Sequence, residues 1–422
     1  MKSIISGKFQ IDLIWNLASF VLIGVSGILI NIIVGRFFGA AILGAFNQVF
    51  ALYIFMSQLA VLGIQYSTLK YISEFKSDNN LCAKIILSAC LATSAVAAIV
   101  VLLSWFISPF IEFFFDSKQV MLGFLCVLPG IWLFAVNKVF LNIINGLREM
   151  KLYAVANLSR VFFMLLGVIL TIYLDVDGWM LPIVITISEA ILFLGCITFI
   201  FLRYQFVYSS DLFLWAKKHF VFGLKGFFGG AMGEINTRVD VIMLGIFTSD
   251  LVVGVYSMAS MVAEGVYQIS IVVRNNVNPL ITEFITTNQH HKLLNLIQHT
   301  RNYFYLAMAL IGLSAILAYP IFLDLLVADA SFDSSYEVFV ILVFGIVCIA
   351  GYLPFEMILV QCGYPKQQSF MKGTILLTNI ILNLALIPLW GGVGAAVASS
   401  IAFVFSGIYI KVYSKKVLLI DI

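Results

Sequence analysis

Apolar residues follow one another in blocks of about 20, with few polar interruptions. A lipid-exposed helix satisfies its backbone groups internally and needs about 20 apolar residues to cross the hydrocarbon core. Leu13 to Val34, Ile85 to Ile107 and Phe304 to Val327 meet that requirement. The pattern predicts spans at 12–34, 43–66, 85–107, 121–144, 154–174, 179–202, 221–247, 251–277, 303–327, 337–361, 371–389 and 393–413. The expected fold class is an all-α polytopic membrane protein with about twelve transmembrane helices.

Internal matches divide these spans into two sets of six. Gly35, Phe37, Gly44 and Phe46 are matched at one constant offset by Gly245, Phe247, Gly254 and Tyr256. Ser73-Glu74-Phe75 recurs as Thr282-Glu283-Phe284, and Gly146 before the fifth span resembles Gly363 before the eleventh. Because each half has an even number of spans, the repeats are parallel and related by a pseudo-two-fold axis along the membrane normal. The expected organisation is an N-terminal lobe at 1–202, a cytoplasmic linker at 203–220, and a C-terminal lobe with a short cytoplasmic tail at 221–422.

Charge orients the chain. Lys2, Lys8, Lys70, Lys76, Lys84, Arg148, Lys151, Arg203, Lys217, Lys218, Lys292, Arg301, Lys366, Lys415 and Lys416 fall at the termini or in alternate connections, which places both termini in the cytoplasm. Composition adds that the 422 residues are 62% hydrophobic and 11% charged, with loops too short to form a soluble catalytic domain. Six cysteines without a CxxC or Cys/His pattern read as apolar packing residues, with no metal or other cofactor expected.

The segment Asn236 to Gly245, followed by Val253-Gly254-Val-Tyr256, resembles the seventh-span signature of polysaccharide-unit flippases. These belong to the multidrug/oligosaccharidyl-lipid/polysaccharide exporter superfamily. Gly35 to Gly39 and Leu43 to Phe46 resemble the first hairpin of the same superfamily. The resemblance implies a MATE-like, Wzx-like O-antigen flippase of the bacterial inner membrane, and not an enzyme. It would carry an undecaprenyl-diphosphate-linked sugar repeat unit, driven by a H⁺ or Na⁺ gradient. Membrane lipids, a polysaccharide polymerase and a chain-length regulator are the implied partners, with no nucleic acid. A multidrug cation antiporter of the same superfamily is the alternative, with an O-antigen polymerase or glycosyltransferase behind it.

An anionic diphosphate and a hydrated glycan require a polar, partly cationic path. Lys138, Asn142 and Asn145 are spaced i, i+4, i+7 on the fourth span, and Asn157 and Arg160 share a face of the fifth. Lys138 and Arg160 could line a cavity or snorkel to headgroups. On the seventh span, Glu234 and Arg238 are one turn apart and Asn236 and Asp240 form a second such pair. The expected cargo-binding residues are Lys138, Asn142, Asn145, Asn157, Arg160, Arg238 and Arg274, and the expected ion-coupling residues are Glu234, Asp240 and Glu264. Arg274 opens a polar stretch reaching Pro279 that suggests a broken helix. Glu189, Glu356, Asn379 and Asn383 are polar positions that serve either packing or cargo. His290, His291 and His299 fall in a cytoplasmic connection rather than a metal site.

Overall fold

The computed structural model describes residues 6–206, 211–287 and 289–418; Lys2 lies outside them. The described residues are helical apart from short connections, and no strand occurs among them. Among the described residues, seven helices are long and apolar enough to cross a membrane, or eight if one pair bent by 63° counts as a span. This is fewer than the expected twelve, partly because two of the longest helices contain breaks. α1 (Ser6–Val61) is interrupted at Gly39, with φ 82° and ψ 174°. Such a backbone is open to glycine and strained for other residues.

The chain separates into two compact units, Met1–Phe37 with Ala45–Ile235, and Phe38–Gly44 with Asn236–Ile422. In the first, α2 (Ile64–Phe75), α3 (Asn79–Phe115), α4 (Lys118–Gly146), α5 (Met150–Tyr173), α6 (Ile183–Arg203) and α7 (Leu212–Asn236) follow α1. Asp78 and Ser117 cap α3 and α4 by accepting from Leu81 N and Val120 N. α4 is the central element, packed on α2, α3, α5 and α6.

Residues 212–220 were expected as linker, but the structure makes them the first turns of α7 and sets the unit boundary after Ile235. Leu212, Trp215, His219 and Gly223 recur at helical spacing and are buried, while Lys217 and Lys218 project from the exposed side. That one-sided charge gives the segment the composition of a basic loop. His219 Nδ1 lies 2.6 Å from Ser67 Oγ. A Cβ on Gly63 would fall 2.2 Å from the Gly223 carbonyl oxygen, so α7 meets the chain ahead of α2 backbone to backbone.

The second unit contains α8 (Val239–Phe247), α9 (Asp250–Thr286), α10 (His290–Phe322), α11 (Ser335–Cys348), α12 (Ile358–Gln361) and α13 (Pro365–Tyr413), the last broken at Gly391. α9 runs unbroken through Pro279, contrary to the expected break. Proline removes a single donor there, and the neighbouring Asn276 and Thr282 side chains bond back to helix carbonyls. The histidines expected in a connection open α10 instead.

Residues 38–44 cluster with the second unit. A Cβ on Gly44 would lie 1.8 Å from Asp250 O, and one on Gly254 would lie 1.8 Å from Ala40 O. The offset relating Gly44 to Gly254 also relates Ala40 to Asp250. The contact is therefore reciprocal within this unit. These are the glycines that the sequence matches paired.

Candidate functional site

In the first unit, Lys138 on α4 donates to Glu234 Oε1 at 3.0 Å and to Gln58 Oε1 at 3.1 Å. Gln58 closes the triangle by donating its amide to Glu234. Lys138 therefore faces a partner on α7 rather than only headgroups. Glu234 and Arg238, and Asn236 and Asp240, were expected at i, i+4 on one helix, but a helix boundary falls between the members of each pair. α7 ends at Asn236 and Arg238 is the N-cap of α8, so neither pair occupies successive turns of one helix. The sequence offered no proline to mark that break.

Glu189 on α6 is 1% exposed and is the centre of a second network. Its carboxylate accepts from Tyr53 at 3.1 Å and from Asn137 at 2.8 Å, and Arg160 Nε lies 2.7 Å away. The Phe134 ring neighbours both networks, with the Lys138 ammonium 5.3 Å and the Arg160 guanidinium 4.9 Å from its centroid. Both distances suit cation–π attraction. Asn142 and Asn157 donate their amides to Lys138 O and Tyr153 O of their own helices, and Asn145 is half-buried on α4. Arg160→Met would strand the Glu189 charge, so a loss of about 3–5 kcal/mol is expected, largely recovered on adding Glu189→Gln. Thermal unfolding of the two variants checks this; equal melting temperatures for the single variant and the parent would show that Glu189 does not depend on Arg160.

In the second unit, no basic side chain hydrogen-bonds to Asp240 among the described residues. Its Oδ1 accepts from Asn379 at 2.9 Å and Asn383 at 2.7 Å, and its Oδ2 from Tyr256 at 2.9 Å and from Ser399. Asn383 is fully buried, and its Oδ1 has no donor among the described residues. Four neutral donors and an unfilled acceptor around one carboxylate form an oxygen-rich setting that suits a proton or a hard cation. Glu264, the other expected coupling residue on this side, is exposed on α9 and does not join these bonds.

Arg274 of α9 reaches Glu356, which precedes α12. Lys372 of α13 binds the other oxygen of the same carboxylate. Tyr267 donates to Glu356 Oε2 at 3.4 Å, and Gln368 donates to its backbone carbonyl at 2.9 Å. Sequence reasoning left Lys372 at the edge of its span and did not single it out. The available signal was its position two turns past the helix-starting Pro365.

The model of a polysaccharide biosynthesis protein family matches residues 12–285, more than half of the chain. The chain belongs to that family. No curated protein sequence matches it. Among solved structures, it resembles a lipid II flippase, MurJ, in an inward closed conformation. The identity is 16% and the TM-score 0.77, over 96% of this chain and 87% of that one. An inward-facing multidrug resistance MATE transporter of the MOP superfamily is 12% identical with TM-score 0.71, over 93% of each chain. The MATE multidrug transporter DinF-BH is 16% identical with TM-score 0.65, over 99% of this chain and 96% of that one. At these identities the likeness is one of fold. This member of the polysaccharide biosynthesis family therefore has the all-helical fold of MOP-superfamily transporters and flippases.

Proposed function

We propose that the chain is a flippase that moves undecaprenyl-diphosphate-linked oligosaccharide repeat units, of O-antigen or a related polysaccharide, from the cytoplasmic to the periplasmic leaflet. Movement is by alternating access and is coupled to a H⁺ or Na⁺ gradient. The observation that carries this reading is the set of half-buried cations each held by a carboxylate: Lys138 and Arg160 on helices of membrane character, and Arg274 on α9. Buried cations favour an anionic cargo and disfavour the cationic drugs of an antiporter. Arg238, Asn145 and the amide oxygens of Asn142 and Asn157 supply hydrogen bonds to the diphosphate and sugar. Asp240 is the main coupling residue, with Glu234 and Glu264 in secondary roles.

On this reading both termini lie in the cytoplasm of a bacterial inner membrane, the side that the distribution of basic residues favours. Reporter fusions after Lys84 and Lys218 should then give a cytoplasmic signal, and fusions after Lys118 a periplasmic one. Deleting the gene should abolish surface polysaccharide while lipid-linked repeat units accumulate on the cytoplasmic leaflet. Loss of the lipid-linked units themselves would place the chain at an earlier, enzymatic step and sink the flippase reading.

A further inference from the structure

Two ion pairs in the described residues match one cation to one acid: Arg160 with Glu189 and Arg203 with Glu149. Glu356 differs, because Arg274 and Lys372 share it. The side chains of all three are at most about a quarter exposed, at 15% for Arg274, 11% for Glu356 and 24% for Lys372. One carboxylate compensates one cation, so the cluster carries a surplus positive charge in poorly solvated surroundings. Such a surplus is costly unless an anion joins it.

The backbone under these side chains is unequal. Arg274 stands within a 37-residue helix and Lys372 within a 49-residue helix. Glu356 stands on irregular chain, between a three-residue 3₁₀ turn and the four-residue α12, at the segment that bends by 63°. The cations are the fixed part of the cluster and the carboxylate is the part able to withdraw. We propose that Arg274 and Lys372 form a receptor for a phosphoryl anion of the diphosphate class, and that Glu356 is an internal surrogate which this anion displaces. A phosphoryl group presents paired oxygens to basic side chains as a carboxylate does, with more charge. The inference deepens the proposed function by giving the cargo diphosphate a place in the second unit, and rests on that reading for the identity of the cargo.

The test uses the purified full chain in phosphatidylcholine nanodiscs, titrated with inorganic pyrophosphate. Glu356→Gln removes the competitor and should tighten binding about tenfold, whereas Lys372→Gln should weaken it about tenfold or more. Lys84→Gln, on a solvent-exposed pair, should leave it unchanged. Unchanged or weaker binding by folded Glu356→Gln overturns the proposal, as does unchanged binding by Lys372→Gln. If the surplus charge prevents Glu356→Gln from folding, the charge-balanced Lys372→Gln still decides the matter. A second arm adds phosphatidylglycerol to the nanodiscs. Retained pyrophosphate binding supports a diphosphate receptor, and its complete loss would assign the cations to resident phospholipid headgroups instead. Normal lipid-linked flipping in a chain whose pyrophosphate binding ignores these variants sinks this receptor alone. The expected pyrophosphate response in a chain whose deletion leaves polysaccharide export intact keeps the receptor and sinks the flippase reading.

Discussion

Asp240→Asn should leave the chain folded and remove its response to an ion gradient. The substitution keeps the shape of the side chain. The amide that replaces the carboxylate retains an oxygen able to accept from Asn379 and Asn383, and its NH₂ can donate to the hydroxyl oxygens of Tyr256 and Ser399, which now surround Asp240 Oδ2. What disappears is the negative charge that a proton or Na⁺ would neutralise. A loss of only about 1.4 kcal/mol in ion binding is a tenfold loss of affinity, so gradient-driven flipping should fall at least about tenfold. Flipping in proteoliposomes with an imposed pH or Na⁺ gradient measures this. Gradient dependence equal to the parent would remove Asp240 from coupling and point to an energy source outside this chain.

Gly44→Val or Gly254→Val should damage the fold. Each new side chain begins 1.8 Å from a backbone carbonyl oxygen, of Asp250 in one case and Ala40 in the other. No flexible side chain is available to retreat, so the two helices must separate. Overpacking of this kind costs about 1–3 kcal/mol in well-packed cores, and a rigid backbone neighbour sets these glycines at or above the upper end. Gly44→Ala and Gly254→Ala should show the same sign, because the clash is with Cβ itself. Gly24→Ala is the control, since a Cβ there meets nothing within 4 Å. Melting temperatures and the monodisperse yield of the four variants report the effect; a parent-like melting temperature for both valine variants would mean that the reciprocal glycine contact is not a constraint on this fold.

Much of this was legible along the chain. Blocks of about 20 apolar residues suffice to give membrane helices, because lipid offers no partner to a backbone N–H or C=O. The match of Gly44 to Gly254 was visible as a repeat, although its physical content, a contact too close for any Cβ, was not. Glu189, Glu356, Asn379 and Asn383 stood out as polar residues in apolar runs, yet nothing local separated packing from cargo contact for them.

The sequence by itself determined the solvent, the helical class, the family resemblance and the identity of the buried polar residues, because each depends on composition or on spacing within one segment. Only the tertiary structure decided the partners. Glu234 meets Lys138 and Gln58 from other helices of its unit, and α7 itself stops at Asn236. Asp240 gathers neutral donors from α9 and α13, and Glu356 collects two cations from the same two helices. Helical spacing fixes which residues share a face, but a charge in the membrane takes the best partner within a few ångströms, and that partner is brought near by packing between segments far apart in the chain.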